Sequence, residues 1–252
     1  MKKILFILLI IILSLVFIMY NNSNPRSIIA NLAKKGDIHS GDLRYRVYFF
    51  GVLPFGDAVL GMQKLEDYKG EKVYHLRGEA QSLKFISKFF SSRAVIDSYV
   101  DEQKLCPILF KQKLAISGKP DAEKEVFYDQ ESGIMTLAGV KRQILPKTQD
   151  PLSAVFNIKR LDFDNVKDIE MNLNTNQKNY ILTGNAERKN IWLNKKIYKI
   201  TLLKVDIRRR DKNPYHKSSI DMVLLKADEN IPILIKIFAS GFLMNAKLIE
   251  IK

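Results

Sequence analysis

The three histidines, His39, His75 and His216, lie far apart and form no metal-spaced pair. An ordinary zinc site needs clustered ligands, so this spacing reads as three structural or surface histidines. Asp97 and Asp101 stand four residues apart. On a strand they share a face, as paired carboxylates do in some hydrolases, although salt-bridged surface acids are the commoner outcome. Cys106 is the single cysteine, which excludes an intramolecular disulfide and a Cys-based metal site. It precedes Pro107 and an apolar stretch, the setting of a buried structural thiol. Ser153 stands in no nucleophile elbow, and the glycines make no phosphate-binding loop. These residues assemble no catalytic constellation. The expectation is a protein that is not an enzyme and that uses no metal or cofactor.

Two sets of residues suit binding instead. Tyr45, Phe49, Phe55, Leu152, Val155 and Phe156 are apolar side chains that could line or lid a cavity for an acyl chain, since ligand pockets are mostly apolar. The alternative is that they are simply core. The second set is Arg208, Arg209, Arg210 and Lys212, at an expected hairpin tip. Guanidinium forks suit phosphate and carboxylate, so the cluster fits anionic head groups; the alternative is a solvated tip.

The elements that must position these residues read as β. In Leu43–Phe49, Leu43, Tyr45, Val47 and Phe49 share one face, with Arg44 and Arg46 on the other. Gly56, Ala58 and Gly61 in the next segment suggest a bend or close backbone approach. Period-two segments follow at 72–83, 93–102, 106–118, 125–130, 133–139, 167–174, 178–184, 197–210, 217–226, 231–238 and 242–251. Many strands joined by short turns, without a βαβ rhythm, predict an antiparallel sheet that curls into a barrel or sandwich. Two segments depart from this. Residues 82–92 fit a short amphipathic helix or a loop on the barrel mouth. Residues 150–160 fit a well-capped helix: Asp150 is an N-cap, Pro151 suits the first turn, and Lys159 and Arg160 close the negative end. Leu152, Val155 and Phe156 share one face, which must pack on the sheet or plug its curled end.

Residues 1–20 carry Lys2 and Lys3, then an apolar run from Ile4 to Tyr20 softened only by Ser14. This is the layout of a secretory signal, at the short limit for a membrane span. The reading is a signal anchor or a cleaved signal peptide, a polar tether over 21–40, and one extracytoplasmic β-rich domain over 41–252. The lysines keep the N-terminus inside, which places the domain on the periplasmic side of the inner membrane. The whole chain has a net charge of +14. Beyond residue 26 it keeps 38 basic against 27 acidic residues, a net +11. Such a surface attracts anionic lipid, polyanionic glycan or nucleic acid, and the expected location disfavours nucleic acid.

Gln149-Asp150-Pro151-Leu152-Ser153-Ala154, ending at Arg160, resembles a signature of a bacterial exported family known as domain of unknown function 3108. So does the opening strand Gly41-Asp42-Leu43-Arg44-Tyr45-Arg46-Val47, with its continuation Gly51 to Ala58. Ile231-Pro232-Ile233 and Ser240-Gly241 resemble the closing strand pair. A tryptophan expected before the proline-led strand is absent, with Leu224-Leu225 in that area. The resemblance covers roughly 41–252. It implies an exported, β-rich, non-enzymatic protein, similar in architecture to half-open barrels that wrap an apolar cavity under a helical lid.

The fold expectation is therefore mainly β: a curved antiparallel sheet forming a half-open barrel, with one or two short helices, behind an N-terminal membrane-anchor helix. Beside an enzyme, which would need a polar cleft with convergent acids or a histidine, two functional readings stay open. One is a lipid- or amphiphile-binding barrel held at the membrane through residues 4–20. The other is an envelope scaffold with a filled core and a binding face for another envelope protein.

Overall fold

The computed structural model describes residues 24–252 except 37, 40, 69, 211–217 and 240, and excludes the side chains of 63–66. The expected anchor at 1–20 lies outside the described residues. So do Lys212, His216 and Lys217.

Fourteen strands form one antiparallel sheet. They are β1 (Leu43–Phe49), β2 (Leu53–Tyr68), β3 (Glu71–Ser82), β4 (Ser92–Asp101), β5 (Pro107–Ile116), β6 (Ala122–Asp129), β7 (Ile134–Leu137), β8 (Val140–Gln143), β9 (Asp168–Thr175), β10 (Lys178–Leu193), β11 (Lys196–Arg209), β12 (Ser218–Lys226), β13 (Asn230–Ala239) and β14 (Phe242–Ile251). The spatial order runs β8 to β1 and then β14 to β9, so only the β1–β14 pairing joins distant parts of the chain. Each other neighbour is a hairpin partner. β8 and β9 are the two edges, and the sheet is not closed.

The edges are nevertheless drawn together. Gln149 bridges Leu173 of β9 in parallel, donating its N–H to Asn172 O (2.8 Å) and accepting from Asn174 N (2.8 Å). The side-chain amide of Asn172 donates to Pro146 O, and that of Asn179 to Gln143 O, each at 2.9 Å. The segment after β8 thus covers an edge that would otherwise present unpaired backbone groups.

Three helices complete the described residues: α1 (Pro25–Ala33), α2 (Lys84–Ser87) and α3 (Pro151–Arg160). α3 touches β3, β4, β9 and β13, strands far apart in the sheet, so it lies within the curl. Leu152, Ser153, Ala154, Phe156 and Ile158 are all buried. The single apolar stripe expected from the sequence is in fact a helix enclosed on several sides, because strands from both halves of the sheet reach it.

α1 corrects the expectation of a polar tether over 21–40. Asn24 caps it by accepting from Arg26 N (3.0 Å), Pro25 opens its first turn, and Ile28, Ile29 and Leu32 enter the main core with Leu43, Tyr45 and Ile158. The segment looks polar because its helical start is written in asparagines and a proline, yet its three large aliphatics fall on one face. Both α1 and α3 contact β13. Consecutive strand residues point to opposite faces, so the unbroken burial from Asn230 to Ile235 requires cover on both. Leu224 and Leu225 are also fully buried and fill the area where the family tryptophan was expected.

Small residues do allow close approach. A Cβ on Gly56 would stand 2.5 Å from Gln81 O of β3, beside the register shift between Val47 and Tyr48. The strand expected at 178–184 runs to Leu193, because Asn194 and Lys195 form the turn with positive φ angles rather than a glycine.

Candidate binding cavity and its surroundings

A mainly apolar hollow of about 220 Å³ lies between α3 and β1–β3. Leu152, Val155 and Phe156 form its helical wall, and Leu43, Leu60 and Leu76 its sheet wall. Gly61 also lines it; a Cβ there would meet Asp42 Oδ1 at 2.7 Å, so the sheet wall at this point tolerates no larger residue without movement. Lys159 and Glu229 stand in the lining and form an ion pair at 2.8 Å, each largely shielded from solvent. Asp42 is the third charged residue of the lining, and a mainly apolar interior with a few polar groups matches a site for an alkyl chain carrying a polar end.

α3 is fixed in place by a buried polar cluster. Asp150 is fully buried and accepts from the N–H groups of Leu152 (2.7 Å) and Ser153 (2.9 Å). Ser153 Oγ accepts from Asp150 N (2.9 Å), completing a capping box. Ser98 Oγ of β4 donates to the other carboxylate oxygen. Burial raises the Asp150 pKa, opposed by the Ser98 hydroxyl and by the helix N–H groups. Gln149 donates to Lys147 O and accepts from the Asn157 amide, and Gln130 of the β6–β7 turn donates to Thr148 O. The motif therefore ties the helix to β4, β9 and the β6–β7 turn, which explains these residue types at this spacing.

The six apolar residues singled out from the sequence divide evenly. Leu152, Val155 and Phe156 line the cavity. Tyr45 does not: it is core, and its hydroxyl donates to Pro232 O at 2.8 Å. Phe49 and Phe55 also do not. Their rings pair at 4.3 Å centroid separation near the β1–β2 turn, at the far end of the strands from Leu43. Shared strand parity placed Phe49 on one face with Leu43, but the cavity reaches only the first part of that face.

The basic set behaves differently. Arg208 pairs with Asp206 at 3.6 Å. Arg209 and Arg210 line an open groove with Arg142, Lys178, Asn176 and Gln177, four bases and, among the described residues, no acid. No local pattern joins Arg142 to Arg209. They share the groove because β8 and the β9–β10 turn meet at the seam, where Arg142 Nε donates to Gln177 Oε1 at 3.4 Å.

The candidate chemistry residues are held by structural partners. Asp97 and Asp101 are not a working pair: Asp97 accepts from Arg77 and contacts His75 Nε2 at 2.7 Å, while Asp101 accepts from the N–H groups of Gln103 and Lys104. His75 also stacks on Tyr99, with centroids 4.6 Å apart and planes within 6°. The sequence reading missed this cross-strand cluster, which only the β3–β4 register reveals. Cys106 is buried, and its pKa is raised by that burial, with the Gln149 amide opposing. Among the described residues no three His, Cys, Asp or Glu side chains converge as metal ligands.

A family model described as "Protein of unknown function (DUF3108)" matches residues 44–241. The chain belongs to this family. The DUF3108 match takes in the whole of α3, the seam and the cavity lining from Leu60 to Glu229. No curated protein matches the chain. Among solved structures, the crystal structure of a beta-barrel-like protein of domain of unknown function DUF1849 from Brucella abortus is similar, with a TM-score of 0.58 and 10% identity over 86% of this chain and 99% of that one. At that identity the likeness concerns the fold alone.

Proposed function

We propose that this DUF3108 protein is a non-enzymatic binder of an amphiphile, whose apolar chain seats between α3 and β1–β3. The cavity lined by Leu43, Leu60, Leu76, Leu152, Val155 and Phe156 carries this reading. Its volume lies just below the usual range for small-molecule sites, which suits one alkyl chain and not a bulky ring system. The Lys159–Glu229 pair supplies a cation and an acceptor for the polar end. The protein works on the periplasmic side of the inner membrane, held there by the apolar run at residues 4–20 or released if that run is cleaved.

The test fills the cavity and leaves the helix in place. Val155 is only half-buried at the edge of the main core, so Val155→Trp adds bulk inside the hollow while the fully buried residues of α3 stay unchanged. Titration of a fluorescent fatty acid should saturate with the wild-type protein. The variant should bind at least about tenfold more weakly, since filling a pocket replaces the ligand's own apolar contacts. Equal affinity in a folded variant would move the site away from α3.

A further inference from the structure

The end of the sheet opposite the cavity carries an apolar rim that the proposed site does not use. Three loops are neighbours there, because β4, β3, β2, β1, β14 and β13 are consecutive in the sheet. The β1–β2 turn presents Phe50, the β3–β4 connection Phe85, Phe89 and Phe90, and the β13–β14 hairpin Phe242, all exposed. Phe89 is 90% exposed, and Phe50 and Phe242 approach with ring centroids 6.3 Å apart. Phe50 also has φ 49°, at the first position of a tight turn, where asparagine or glycine is the favoured residue. A large aromatic is kept at a strained, solvent-facing tip.

Charge at this rim has one sign. The β3–β4 connection holds Lys84 and Lys88 and no acid, and residues 49–55 and 237–245 contain no charged side chain at all. The groove of Arg142, Lys178, Arg209 and Arg210, with no acid among the described residues that line it, opens at the turns of the same end. Aromatic rings flanked by cations are the composition that enters the head-group region of a membrane. From this complementarity we infer that the rim docks on an anionic lipid bilayer, with the rings at the acyl boundary and the cations among the head groups. The docking surface lies away from the cavity mouth and stands whether or not the cavity takes a ligand.

The test uses the full chain carried in small discs of neutral phosphatidylcholine, mixed with vesicles of phosphatidylcholine alone or with phosphatidylglycerol. Empty discs set the background. Discs with the protein should capture the phosphatidylglycerol vesicles preferentially. Phe50→Asn, which suits the turn and removes the ring, should weaken capture about tenfold, as should Phe85→Ser with Phe89→Ser. Lys84→Ser with Lys88→Ser should weaken capture of the anionic vesicles about thirtyfold and leave neutral ones alone. Unchanged thermal unfolding would confirm that each variant is folded. No capture by the wild-type protein, equal capture of both vesicle types, or full capture by the aromatic variants would overturn the inference.

Discussion

Asp150 carries two duties at once, as helix cap and as acceptor for Ser98. Replacing it with Ala leaves two helix N–H groups and a buried hydroxyl without their acceptor, at a cost of about 3 kcal/mol. Asp150→Asn keeps a capping oxygen and should cost less; urea midpoints compare the two. The raised pKa sets the sign of a pH effect. A carboxyl whose folded pKa stands above its unfolded value, about 3.9, holds its proton more tightly in the native state. Its contribution is full below that value and is lost as pH rises through the folded pKa. The wild-type protein should therefore lose stability over this window relative to Asp150→Asn, and parallel midpoints from pH 4 to 8 would contradict this. Tyr45→Phe should cost about 1–2 kcal/mol by stranding Pro232 O. At this scale the sequence was readable where a side chain serves its own backbone: Asp150, Pro151 and the buried Cys106 stand where their types implied. It was unreadable where the partner comes from another strand. Ser98 meets Asp150, and His75 meets Asp97, only through folded register.

α1 and α3 show the same division among elements. The start of α3 was legible because Asp150-Pro151 is a local signal and its basic end fits the dipole. Its enclosure within the curl was not, since that depends on how far the sheet bends. α1 was missed because a nine-residue helix has little stability of its own and exists here through docking. Ile28→Ala and Ile29→Ala each remove a fully buried side chain and should each cost about 2–4 kcal/mol in urea unfolding. Losses near zero would return this segment to the role of a tether. Several strand ends were misplaced for a related reason. The turns at Phe50-Gly51, Ala138-Gly139, Asn176-Gln177 and Asn194-Lys195 all place two residues at positive φ, and two of the four lack the glycine that marks such turns.

At the scale of the molecule, the β-rich, antiparallel character of the one large sheet followed from period-two patterning. The register of the closure did not. β1 must find β14 across the length of the domain, and the β8–β9 seam is bridged by asparagine and glutamine side chains whose partners no local pattern announces. Within this incompletely closed sheet α3 packs against β3, β4, β9 and β13 and leaves a hollow beside Leu43, Leu60 and Val155. The measurement that bears most directly on the function of that hollow is photo-crosslinking of the full chain with a fatty acid bearing a diazirine on its alkyl chain, followed by mass spectrometry of the peptides. Adducts concentrated on α3 and on β1–β3, and reduced by Val155→Trp, are the predicted result. Adducts confined to the N-terminal run or to the aromatic rim, with none on α3, would contradict a binding site in the cavity.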